Sequence, residues 1–316
     1  MNSMGSVPYV VQLPASLARR VADRVDDSAS PYADVSEFAA VAFRNQLALE
    51  STDGPSRDVT HARTKDAVAD ELHSLLSRTD PERVPTHPAV GRHGPLTFLT
   101  NRLNPFVVVA RVAANLGPST PTSYLQAVEV HAREVGLRLA EDDARRHLKQ
   151  AQRRSTSWPI GDNAVGSLDK FRDSYLIDHD GTGPAVGARI LTVTEDGLVT
   201  CTPEAVRLAS AHCPFLDGAD DGSILSREAA LALRDAVLGN PDEAEAIRLF
   251  LDAVEATGGA QPQVDKKLAM TVPNWSEGQL HAHRAAMIGR LRDLEVVEVE
   301  GRGSKAVISV VENPFD

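Results

Sequence analysis

Apolar residues alternate over the first stretch of the chain: Tyr9, Val11 and Leu13 fall on one side, Val10 and Gln12 on the other. That period of two predicts a β-strand over 7–13. After Pro14 the period changes. Leu17, Val21 and Val25 recur every fourth residue, which predicts a helix with one apolar stripe. "DDSASPYAD" reads as a turn, and Ser36 with Glu37 starts a second helix carrying Phe38, Val41, Ala42 and Leu49. A lone strand leaves its backbone groups unpaired, so it needs a partner, and the same strand of a second chain supplies one.

Further along, "VTHARTKDAVADELHSLLSR" predicts a helix with Ala67, Val68, Leu72 and Leu75 inward, set between Pro- and Gly-rich linkers over 51–104. Asn104-Pro105 starts the next helix and "LGPSTPT" ends it. "SYLQAVEVHAREVGLRLA" and "EDDARRHLKQAQRR" read as two separate helices, the latter with acids first and bases later, as the helix dipole favours. "WPIGDNAVGSLDKFRDSYLI" supplies a fourth helix. "ARILTVTEDGLVTCTPEAVRLASAH" predicts two strands about a Glu195-Asp196-Gly197 turn, then a helix.

"LSREAALALRDAVLG" starts the last region. Pro241 opens an amphipathic helix that Gly258-Gly259 stops. "QVDKKLAM" is a short helix. "SEGQLHAHRAAMIGRLRDLEVV" is a long one with Leu280, Met287, Leu291 and Leu294 on one side, and a hairpin follows about Gly301-Arg302-Gly303.

Two resemblances follow from these orders of elements. Strand–LP–helix–turn–"YADVSEF"–helix resembles the ribbon-helix-helix fold over 7–50. The resemblance implies an antiparallel ribbon between two chains, with Tyr9, Val11 and Leu13 buried in the dimer. It also implies that Val10 and Gln12 face the bases and that the helix start at Ser36 holds a phosphate. Of the outward strand positions only Gln12 reads a base edge, so the module either dimerises alone or also binds DNA.

The region 241–311 resembles a winged helix along its length, and "GLVTCTPEAVRLASA" resembles the end of another such unit. The expected architecture is mainly α with small β-hairpins: a ribbon-helix-helix-like N-terminus (7–50), a helix and linker (51–104), and two winged-helix-like domains (105–216 and 224–312). The resemblance implies that the long helix of the last domain enters the major groove, offering Gln279, His281, His283, Arg284 and Arg290. Lys266 and Lys267 lie on the helix before it, and Arg302 and Lys305 at the hairpin tip would meet phosphates.

Charge changes the picture. The net charge of −11 opposes DNA binding by the whole chain, so any DNA surface must be local. Region 261–310 holds seven bases against six acids and is near neutral. The sharpest basic run, "ARRHLKQAQRR", holds Arg145, Arg146, Lys149, Arg153 and Arg154 with no acid among them. On a helix, Arg145, Lys149 and Arg153 form one stripe that could track phosphates or pair with Glu141, Asp142 and Asp143.

Hydrophobic residues make up 42% of the chain, enough for real cores, and aromatics only 4%. No run approaches the ~20 apolar residues of a membrane span, and the N-terminus has no secretion signal, so the expectation is a cytoplasmic, nucleoid-associated protein with no membrane partner. Cys201 and Cys213 lack zinc-like spacing and read as buried thiols; neither a metal nor a cofactor is expected. No GxGxxG, GxxxxGK[ST], GxSxG or HExxH occurs. Asp178, His179 and Asp180 suit a turn, and His281 and His283, two apart, point to different helix faces. The expectation is therefore not an enzyme but a homodimeric protein that binds double-stranded DNA, a transcriptional regulator. The alternatives are a plasmid or viral replication or partition protein, and a scaffold whose winged helices bind a protein partner.

Overall fold

Helix α1 (Pro105–Leu116) is buried almost all round, from Pro105 through Ala114. A helix apolar on every side belongs in the middle of a fold. Here it packs against α2 (Pro121–Arg145), α5 (Pro203–Ser210) and strand β2 (Val199–Cys201). Each fully buried valine or phenylalanine on it contributes roughly 1.5–3 kcal/mol. The computed structural model describes residues 74–89, 94–149, 153–160, 164–177, 182–218, 225–272, 275–301 and 305–316, with backbone alone over 164–167. All of these belong to one unit, 65–316. The expected ribbon module with Tyr9, Val10, Val11, Gln12, Leu13 and Ser36 lies outside the described residues, as do Asp178, His179, Asp180 and Arg302.

The described residues are mainly helical, with two small antiparallel hairpins. After α2 come α3 (Ala164–Tyr175), the one-turn α4 (Pro184–Gly187), β1 (Leu191–Val193), β2 and α5. Then follow α6 (Arg227–Leu238), α7 (Pro241–Thr257), α8 (Gln261–Thr271), α9 (Glu277–Asp293), β3 (Val297–Glu300) and β4 (Val307–Val310). Leu191 faces Cys201 in the first hairpin, and Val297 faces Val310 in the second. Gly197, at φ 76°, supplies the left-handed residue that the first tight turn needs.

One connection occurs twice. Between α1 and α2, Ser119 bridges antiparallel to Val199, the first residue of β2. Between α7 and α8, Ala260 bridges antiparallel to Val307, the first residue of β4. In both places a helix, a one-residue strand and further helices (three in the first place, two in the second) lead to a hairpin, and the lone bridge pairs with the hairpin's second strand. Gly259 is shaped to this pairing. Its φ is +75°, and a Cβ there would sit 1.8 Å from the Ile308 carbonyl oxygen.

The ends of α7, α8 and α9 follow local chemistry. Asn240 caps Pro241–Thr257, and Gly258 closes it in the left-handed conformation. Ser276 and Gln279 form a reciprocal capping box on α9. Leu280, Met287, Leu291 and Leu294 are all buried, as their spacing predicts.

Two readings need correction. The segments 123–140 and 141–154 do not form two helices. They share α2, which runs to Arg145 and stops there. His147 takes φ 52°, its N–H donates to the Ala144 carbonyl, and the Leu148 N–H donates to the Asp143 carbonyl. This paired closure is the Schellman ending of a helix, with His where Gly is usual. Acids 142 and 143 thus stand in a last turn, not a first. Ahead of α1, the helix ending at 76 buries Leu76, while Leu75 is only half-buried.

Candidate nucleic-acid interface

The start of α9 faces solvent, where Glu277, Gly278, Gln279 and His281 are exposed, as is Ala285 further along. The Gln279 backbone N–H donates to the Ser276 hydroxyl at 3.3 Å, and the Ser276 N–H donates to the Gln279 side-chain oxygen at 2.9 Å. The cap therefore occupies the Gln279 side-chain carbonyl, while the residue itself stays exposed. Asp265 on α8 collects the next two groups. Arg284 pairs with its carboxylate, and His281 Nε2 lies 3.3 Å from the same oxygen. Lys266 and Lys267 on α8, and Lys305 beside the second hairpin, are exposed. Between α8 and α9 lies a shallow cleft of about 650 Å³ lined by Lys266, His281 and Arg284.

Two residues expected outward on α9 turn inward. Arg290 is 2% exposed; it faces Glu243 at 3.1 Å and donates to the carbonyls of Thr97 and Thr100. It lies three residues from Met287 and one from Leu291, so the apolar stripe carries it into the core. Burial is the first cause of the lowered Arg290 pKa, and burial likewise raises that of Glu243 against the pull of the guanidinium. His283 stacks on Trp275 with ring centroids 4.0 Å apart and meets the edge of Phe98. Burial, then the Arg290 charge, lowers its pKa.

The basic run folds into a clasp. With α2 ended at Arg145, Arg145, Lys149 and Arg153 share no helical stripe. Arg145 and Arg146 pair with Asp142 at 2.7 and 2.9 Å. Arg154 returns from beyond the turn to reach Asp142 and, at 3.1 Å, Asp143. The other Asp143 oxygen accepts from the Ser155 N–H. Burial opposes ionisation of Asp142, but the hydrogen bonds and charges of Arg154 and Arg146 outweigh it and hold its pKa below the ordinary value. These arginines offset two carboxylates placed unfavourably at a helix C-terminus. Lys149 and Arg153 stay exposed.

Sequence reasoning missed the buried pair of α1. Arg111, fully buried, grips Asp217 with both terminal nitrogens and donates to the carbonyls of Leu76 and Ala211. An Arg in the run "FVVVARVAAN" is the signal, since an ion so placed needs a partner. Both thiols are buried, which pushes Cys201 up to about 12 and Cys213 to about 11. Among the described residues no cluster of His, Cys, Asp and Glu could hold a metal ion, and no helix is long and apolar enough to cross a membrane. No protein-family model, curated protein or solved structure matches this chain.

Proposed function

We propose that the chain binds double-stranded DNA through tandem winged-helix-like units and acts as a homodimeric transcriptional regulator. The observation that carries this reading is the repeated connection, in which Ser119 and Ala260 each bridge to the first residue of a hairpin's second strand. That strand order is what a winged helix requires. In the second unit the exposed start of α9 shares a cleft with Lys266, and Lys267 and Lys305 are exposed; this suits a helix entering the major groove with lysines on the flanking phosphates. Dimerisation is assigned to Tyr9, Val11 and Leu13. Deleting residues 1–13 should then give monomers or insoluble protein in light scattering, and a soluble dimer would rule the ribbon out.

A titration of the full chain on random-sequence DNA at rising salt tests the reading. Affinity should fall steeply, with each phosphate contact adding about 0.9 to the slope. One observation favours a second reading, a scaffold that binds protein: Arg145, Arg146, Arg154 and Arg284 are all paired with carboxylates of the same chain. A flat salt response supports that reading. Regulation and plasmid or viral replication differ in where the bound sites lie, which a genome-wide binding map distinguishes.

A further inference from the structure

Helices α7, α8 and α9 and the segment 95–97 surround a cavity of about 440 Å³. Leu96, Phe250 and Met287 are buried in its wall, and Leu249 and Trp275, on the same lining, are partly exposed. The apolar wall therefore reaches solvent. Clefts of roughly 300–1,000 Å³ with such a lining hold small molecules.

The charged and hydroxyl groups of this lining have partners within the protein. Arg290 faces Glu243 at 3.1 Å, Arg284 pairs with Asp265, and Glu245 pairs with Arg248 at 2.6 Å. The Thr271 hydroxyl donates to the Lys267 carbonyl, and the Thr97 hydroxyl accepts from the Leu99 N–H. The His283 ring stacks on Trp275. Asp242 stands in the first turn of α7, where the helix dipole favours a carboxylate.

We infer that this cavity binds a small, uncharged, apolar molecule: a hydrocarbon-like body with no ionised group. Two arguments select that class. Arg284 and Arg290 each already face a carboxylate, so an entering ion would lose its hydration and find no buried charge awaiting it. An anion would meet the Asp242 carboxylate as well. Water against a carbon-rich wall has few polar partners, so an apolar ligand that displaces it gains affinity. The inference rests on the cavity alone and stands or falls apart from the DNA reading.

Equilibrium dialysis of the full chain at pH 7 tests it with naphthalene, 2-naphthoate and (2-naphthyl)methylammonium, which share one ring system and differ in charge. Naphthalene should bind saturably and roughly tenfold or more tightly than either ion. Ala246→Phe, which places a ring on the lining from α7, should weaken naphthalene binding about tenfold with an unchanged circular dichroism spectrum. If that variant fails to fold, Leu249→Glu, a charge at a partly exposed position of the lining, should have the same effect. No saturable binding of naphthalene to the folded parent protein would overturn the inference. So would undiminished affinity in the folded variant, which would place the ligand elsewhere. Binding of 2-naphthoate as tight as that of naphthalene would overturn it by making the occupant an anion, and equally tight binding of the ammonium would make it a cation held by the carboxylates of α7.

Discussion

Gly289 of α9 and Asn101 meet backbone to backbone: a Cβ on Gly289 would lie 2.1 Å from the Asn101 carbonyl oxygen. The C-terminal half of α9 is thereby seated on the loop before α1. Leu103 and Asp293 tighten the seat, since the Leu103 N–H donates to the Asp293 carboxylate at 2.6 Å and Arg102 pairs with it. The first turns of α9 remain open, so any groove-reading surface on this helix begins at its N-terminus.

Gly289→Ala should therefore destabilise the protein, although helix propensity alone favours Ala by about 0.5–1 kcal/mol. The backbone contact has no flexible side chain to yield, and overpacking of this kind costs typically 1–3 kcal/mol. Urea denaturation of parent and variant measures the sign. A stabilised variant would show that the loop gives way freely.

Arg290→Met should cost about 3–5 kcal/mol, because Glu243 would stay buried without its counter-ion. Glu243→Leu combined with Arg290→Met should recover most of that loss. A double-mutant cycle by thermal and urea unfolding checks it. An additive result would mean that the two residues are not coupled.

His283 makes stability depend on pH. Its folded pKa is lowered by burial and then by the Arg290 charge, so the unfolded state takes up the proton first. Its contribution is fully present above the unfolded value of about 6.5 and is lost as pH falls from there toward the lowered folded value. His283→Gln should flatten the melting temperature over that window. An unchanged pH profile would place the proton uptake elsewhere.

Arg154→Gln should destabilise α2 from its end, because Asp142 and Asp143 would then face a helix C-terminus with less compensation. Hydrogen exchange should speed up over the last turns of α2 and leave α9 unchanged. Uniform exchange throughout would show that the clasp is not local.

On DNA, replacing Lys266 and Lys267 together with Gln should lower the salt slope by about two and weaken all sequences alike. Gln279→Ala should cost roughly 1–3 kcal/mol on a specific site alone. Equal binding by both variants and the parent would move the interface away from α8 and α9.

The chain's own pattern determined most helices and both hairpins. Pro105, Pro241 and Ser276 begin helices where local capping says they should, Gly258 ends one, and the Leu280–Met287–Leu291–Leu294 stripe faces inward because a period of 3.6 leaves no other face for it. Local rules failed where distant groups settled the outcome. The acids at 142 and 143 suit a helix start when only neighbours are considered. They occupy a helix end because Arg154 returns across the turn to offset them. Arg290 carries the same charge as Lys266 or Lys267, yet it is buried, because Glu243 and the carbonyls of Thr97 and Thr100 wait on segments remote in sequence. The pairing of Ser119 with Val199 and of Ala260 with Val307 was likewise invisible, since a one-residue strand has no period to detect. Periodicity and capping act within a few residues, whereas ion pairing and strand bridging depend on which remote segments the folded chain brings together.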